Sequence, residues 1–113
     1  MADIFIPNEG ATNGTTPVTA LAAPASAVIQ RVVRAGAWGV YNGDDVAHIV
    51  IFQKNKAATV TILSRITAVA AGETAICSKT VGLDAADESL EVVLGEAMST
   101  VHPRFDIVAL EAS

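Results

Sequence analysis

The sequence predicts an all-β chain: an antiparallel β-sandwich of jelly-roll type, with about eight short strands and an extended N-terminal arm. Three observations lead there. Turn residues recur at intervals of roughly 8–12 positions. The runs between them are rich in Val, Ile and Thr, whose branched side chains suit a pleated surface. Helical spacing of apolar residues is sustained in one segment only, 83–98, and there an alternating pattern competes with it.

Taken in order, residues 2–6 form a short strand stopped by Pro7. Residues 8–16, rich in Gly, Asn and Thr, read as flexible or extended. After Pro17 comes a brief β-prone run that Pro24 interrupts, which places it at an edge. Residues 1–26 are therefore set apart as an arm with short strands, and 27–113 as the sandwich domain. Residues 27–34 read as a strand, although Val28, Val32 and Ala35 also share a helical face. Gly36 and Gly39 flank Trp38 and suggest a bend or bulge where Trp38 changes face.

Asn42-Gly43-Asp44-Asp45 predicts a hairpin turn, because Asn and Gly tolerate positive φ. The strand over 46–53 is apolar on both sides. One face should meet the core, and the other a second sheet edge, the arm or another subunit. Lys54-Asn55-Lys56 reads as the next turn, 59–66 as the returning strand, 70–73 as a turn, and 74–81 as a further strand. In 83–98, Leu90, Val93, Leu94 and Ala97 fit a helix, with Asp84, Asp87 and Glu88 suited to its N-terminus. Leu90, Val92 and Leu94 also alternate, and Gly95 closes the run. A strand over 89–95 is preferred, with room for a helical turn near 84–88. His102-Pro103 makes a turn. The last strand, 105–110, sets Phe105, Ile107 and Ala109 on one face and Asp106, Val108 and Leu110 on the other.

Composition narrows the function. At 113 residues the chain fits one domain with its own core, though 21 alanines and 4% aromatics predict a thin one. The net charge of −5 argues against nucleic acid. Acidic residues concentrate after residue 80, where Arg104 is the lone basic residue; this reads first as a solvated acidic edge, with a docking surface for a basic patch on another subunit as the alternative. No apolar run is long enough to span a membrane, and the first residues lack a secretory signal pattern, so synthesis in a reducing cytoplasm is expected. Cys77 stands alone and reads as a buried thiol.

No catalytic signature is present. His48 lies mid-strand, read as having no acidic residue at a helical or alternate-strand position to orient it, and it reads as a structural, partly buried histidine. His102 reads as a solvated turn residue. The carboxylates of 44–45 and 84–88 do not follow a calcium-loop spacing. No catalytic residue, metal or cofactor is expected. Trp38 and Tyr41 open a rival reading as a sugar-stacking platform, which a bulge at Gly39 would have to create because residues three apart face opposite ways.

Several short motifs fall in a familiar order: Val18-Thr19, Ala23-Pro24-Ala25, Val33-Arg34, Val40-Tyr41-Asn42, the run 46–51, Ala71-Gly72-Glu73-Thr74, Leu83-Asp84, Glu88-Ser89-Leu90 and Leu110-Glu111. In this layout the chain resembles small β-sandwich virion structural proteins of tailed bacteriophages. The resemblance implies a non-enzymatic subunit of the virion, a capsid decoration protein first, with neck or collar, or tail or fibre, as alternatives. It implies other virion proteins as partners, a homo-oligomer in the particle, and neither nucleic acid nor membrane as a ligand. Docking is expected through the arm and a sheet edge, at Ile4, Phe5, Ile6, Val18, Leu21, Ile49 and Ile51.

Overall fold

Ten β-strands, and no helix, make up the secondary structure of the described residues, 4–23, 30–83 and 87–112, in a computed structural model. They are β1 (Ile4–Ala11), β2 (Val18–Leu21), β3 (Gln30–Val33), β4 (Trp38–Tyr41), β5 (His48–Lys56), β6 (Thr59–Val69), β7 (Thr74–Ile76), β8 (Val81–Leu83), β9 (Glu88–Leu94) and β10 (Arg104–Ala112). All pairings are antiparallel, and the strands form two sheets.

The pairing order defines the fold. β1 pairs with β10, β2 with β9, β3 with β8, β4 with β7, and β5 with β6. Each pair nests inside the one before it in sequence. This is a single long hairpin whose stems alternate between two sheets as it rolls up, which is the expected jelly roll. One sheet runs β7-β4-β10-β3-β8 with β1 on the free side of β10; the other runs β2-β9-β5-β6. β3 and β4 both lie against β10, and β7 and β8 lie against β4 and β3. Each couple is one strand broken in the middle, so the ten segments occupy the expected eight positions. Gly36, at φ 86°, forms part of the first break, where the Ala37 N–H donates to the Arg34 carbonyl.

Several local readings are corrected. Asn42-Gly43 is not a hairpin turn: β4 and β5 belong to different sheets, and residues 42–47 cross between them. The Asn42 side chain is buried and donates to the Val46 and Val69 carbonyls, so it braces the crossing. The turn placed at 54–56 lies at Ala57 and Ala58, both at positive φ, with Asn55 Oδ1 accepting from the Ala58 N–H. β9 resolves the ambiguous segment as a strand, in which Leu90, Val92 and Leu94 face the core. The helical turn suggested near 84–88 falls partly on residues outside those described; Asp87 lies in a turn and Glu88 begins β9.

The arm also reads differently in three dimensions. β1 pairs along its whole length with β10, from Ile4 opposite Glu111 to Ala11 opposite Arg104. β2 pairs with β9. The stretch 4–21 therefore supplies one strand to each sheet. Pro7 and Gly10 sit inside β1, and an edge strand tolerates them. Gly10 is required where it is, since a Cβ there would lie 2.9 Å from the Phe105 ring. The domain boundary placed at 26/27 lies outside the described residues.

Between the sheets, Val33, Trp38, Val40, Phe105, Ile107 and Ala109 meet Leu21, Val50, Phe52, Leu90, Val92 and Leu94. Trp38 and Phe52 bridge the layers edge to face, with ring centroids 4.8 Å apart at 72°. Cys77 is buried, as expected.

Candidate functional site

Two places hold the side chains on which a function could rest: a polar cluster at one end of the sandwich, and the outer face of the β1-containing sheet.

The polar cluster joins two connections, residues 42–47 and 95–103. His48, the first residue of β5, is fully buried. Its Nε2 lies 2.7 Å from Asp44 Oδ2, and its Nδ1 lies 2.7 Å from Glu96 Oε1. Each of those oxygens already accepts a backbone hydrogen: Ser99 N–H reaches Asp44 Oδ2 at 2.7 Å, and Ile49 N–H reaches Glu96 Oε1 at 2.9 Å. Both oxygens are acceptors, so both short contacts are satisfied when the ring carries a proton on each nitrogen. Asp44 Oδ1 accepts further bonds from the N–H groups of Asp45, Thr100 and Val101 and from the Thr100 hydroxyl. Gly95 permits the approach, because a Cβ there would come within 2.8 Å of the Ile49 Cβ.

Burial alone would raise the pKa of the Asp44 carboxyl. The Ser99 N–H, the His48 ring and the N–H groups of Thr100 and Asp45 outweigh it and hold the group far below the usual carboxylate range. The arrangement overturns the reading of His48 as lacking an acidic partner. Asp44 stands four residues before it, just outside the strand, and Glu96 comes from the β9–β10 connection.

Chemically the cluster is a clamp. Both ring nitrogens are occupied by carboxylates, which leaves no nitrogen free to take a proton from a substrate. The carboxylates bracket the imidazole from opposite sides instead of converging on a point. Among the described residues no group of three His, Cys, Asp or Glu side chains is arranged to hold a metal. His102 is half-buried, and its Nδ1 is buried without a hydrogen-bond partner, so it is less solvated than its turn position implied. Trp38 is entirely enclosed while Tyr41 is exposed, so the two do not form a sugar-stacking platform.

The outer sheet face is built in rows across the strands. Phe105, Ile107 and Ala109 of β10 point inward, which turns Arg104, Asp106, Val108 and Leu110 outward. Register then sets Phe5, Leu110 and Val32 side by side, with Pro7 beside Val108 in the next row. Phe5 is 69% exposed, Val108 40% and Val32 37%. With Ala37 and Arg34 they line a groove of about 420 Å³. These apolar side chains form a continuous row open to solvent, a candidate contact surface.

Of the residues picked from the sequence, Ile4 and Phe5 are exposed at the head of β1, and Phe5 belongs to this groove. Ile6 and Val18 are partly buried and pack on the core, and Leu21 is a core residue with 2% exposure. Ile49 and Ile51 are half-buried on the outer face of the other sheet, alternating with buried Val50 and Phe52. The structure thus separates Phe5 from Ile49 and Ile51. It joins Phe5 to Val32, Val108 and Leu110, which were not picked. The signal for two of these was present: strand 105–110 is apolar on both faces at Val108 and Leu110, the same pattern that drew attention to 46–53.

No family model matches the chain, and no curated protein matches it in sequence. Solved structures match in fold. A protein of infectious bursal disease virus, Gx strain, superposes with a TM-score of 0.53 at 10% identity, over 97% of this chain and 31% of that one. A mutant VP2 protein of the same virus, in derived T=1 particles, gives 0.53 at 7% identity over 96% of this chain and 31% of that one. The Drosophila NLP core, described for pentamer formation and histone binding, gives 0.50 at 7% identity over 97% of this chain and 99% of that one. The chain spans about a third of the length of the viral proteins it matches.

Proposed function

We propose that the protein is a non-enzymatic structural subunit of a virion, and within that class a capsid decoration protein of a tailed phage. The observation that carries this is the apolar outer row of Phe5, Leu110 and Val32, left open on a jelly roll whose buried polar residues at its end are joined to one another. The fold likeness to the viral proteins supports it, as does the order of motifs in the sequence. Attachment runs through this face and the β1 edge, with other virion subunits as partners. Neck, collar, tail and fibre positions remain its competitors within the class.

The test is incorporation. Phe5→Asp with Val108→Asp places two charges where a partner would bury apolar surface. The double variant is expected to fold, because both side chains are exposed, and to be lost from particles by about tenfold or more. Normal incorporation of that variant would sink the reading. Copy number, from mass spectrometry of intact particles, separates the positions: hundreds of copies mean decoration, about six or twelve mean neck or tail.

A second reading, an oligomer that binds basic proteins, is favoured by the end-to-end match with the Drosophila NLP core and by the net charge of −5. Salt-sensitive capture of histones by the purified chain would support it.

A further inference from the structure

We propose that copies of this chain associate head to tail, with the acidic β1–β10 edge of one copy seated in a lysine-lined groove of the next. The lysine groove lies apart from the attachment face, while the acidic edge adjoins that face at Pro7 and Val108; the contact holds for the isolated chain whether or not that chain belongs to a virion.

All the lysines of the sequence, Lys54, Lys56 and Lys79, line one groove of about 490 Å³. It opens between the sheets, with β6 on one lip and the approach to β8 on the other. Thr61, Leu63, Thr80, Val81, Gly82 and Glu88 complete the wall. Both lips are strands at the ends of their sheets. Lys54 is held by Glu88 and by the Gly82 carbonyl. Lys56 and Lys79 are exposed, and among the described residues neither joins an ion pair. The groove therefore offers two cations to something outside it.

The matching anions lie across the sandwich. Sheet order puts β1 and β2 on one side of the molecule and β8 and β6 on the other. On the β1 side, Glu9 and Asp106 are directly opposite one another, both exposed on the outer face. Like charges so placed work against the strand pair. Two cations from a neighbour would turn that repulsion into attraction. The pair lines a groove of about 390 Å³ with Pro7, Asn8 and Val108. Pro7 has no N–H to offer a further strand, so side chains rather than strand addition make this contact. Because donor and acceptor surfaces differ and lie on opposite sides, the contact is heterologous and repeats from copy to copy, into a ring where the rotation closes and into a filament where it does not. A second copy suits the groove better than a nucleic acid, whose phosphates a chain of net charge −5 repels.

Sedimentation of the purified chain decides it. At low salt an oligomer is expected, dissociating as salt is raised. Lys56→Glu with Lys79→Glu, and separately Glu9→Lys with Asp106→Lys, should each weaken self-association about ten- to a hundredfold. The chain carrying all four changes should assemble again, because its charges are exchanged. Circular dichroism checks the fold of each, and Lys56→Gln with Lys79→Gln repeats the loss without introducing new charge. A wild-type chain that stays monomeric at high concentration overturns the proposal, and so do reversal variants that assemble unchanged. Heparin binding that needs Lys56 and Lys79 while the mass stays constant overturns it too, and gives the groove to a polyanion.

Discussion

Asp44→Ala is expected to lower the melting temperature by roughly 10 °C or more. The carboxylate takes hydrogens from Ser99, Thr100, Val101, Asp45 and His48, so its removal leaves the 95–103 connection without its anchor and the imidazole with a carboxylate on one side only. Asn at the same place keeps the shape but turns an N–H₂ toward donors, so it should fare little better. The effect carries a pH signature. The folded carboxyl is held below its unfolded value of about 3.9, so its contribution is complete above that value and is lost as pH falls through the folded one. Melts of wild type and Asp44→Asn by circular dichroism should differ fully near neutral pH and converge progressively below about pH 4. A constant gap down to pH 3 would show that the charge of Asp44 is not what holds the clamp.

Trp38→Ala is expected to cost about 3–5 kcal/mol. The side chain is fully enclosed and meets Phe52 across the two layers, so deletion opens a cavity at the middle of the sandwich. Trp38→Phe should cost clearly less, since it keeps an aromatic edge against Phe52. Urea titration followed by far-ultraviolet circular dichroism measures both. In the wild type, Trp38 is the single tryptophan, and acrylamide should barely quench it in the folded state.

The strands were legible because burial imposes alternation. Phe105, Ile107 and Ala109 could be assigned to one face, and Leu90, Val92 and Leu94 outweighed a competing helical pattern. What stayed hidden depended on distant partners. Pro7 and Gly10 argue locally against a strand; β10 makes one of them by pairing with residues a hundred positions away. Asn42-Gly43 carried a hairpin signal, but the chain uses the Asn42 amide to brace a crossing between sheets. Ala57 and Ala58 bear no turn chemistry, yet the register of β5 and β6 forces both to positive φ. Half of the clamp was local and went unread, Asp44 standing four residues before His48; the other half was hidden, because Glu96 reaches His48 only after β9 is laid beside β5. The outer apolar face was within reach: the two-sided strand 105–110 announced half of it, and Val32 entered only through register.

The nested stems also order events in time. During synthesis β5 and β6 can meet as soon as residue 69 is free, β9 can then join β5, and Ile4 must wait for Glu111. β1 is thus made before β2 to β9 yet is among the last of the ten strands to be secured. The surface assigned to attachment is completed only when that outermost stem closes. A chain lacking β10 would have neither the complete attachment row nor the acidic pair, so competence to assemble is coupled to the closure of the β1–β10 stem. Hydrogen exchange should show the β1–β10 amides opening before those of β5 and β9.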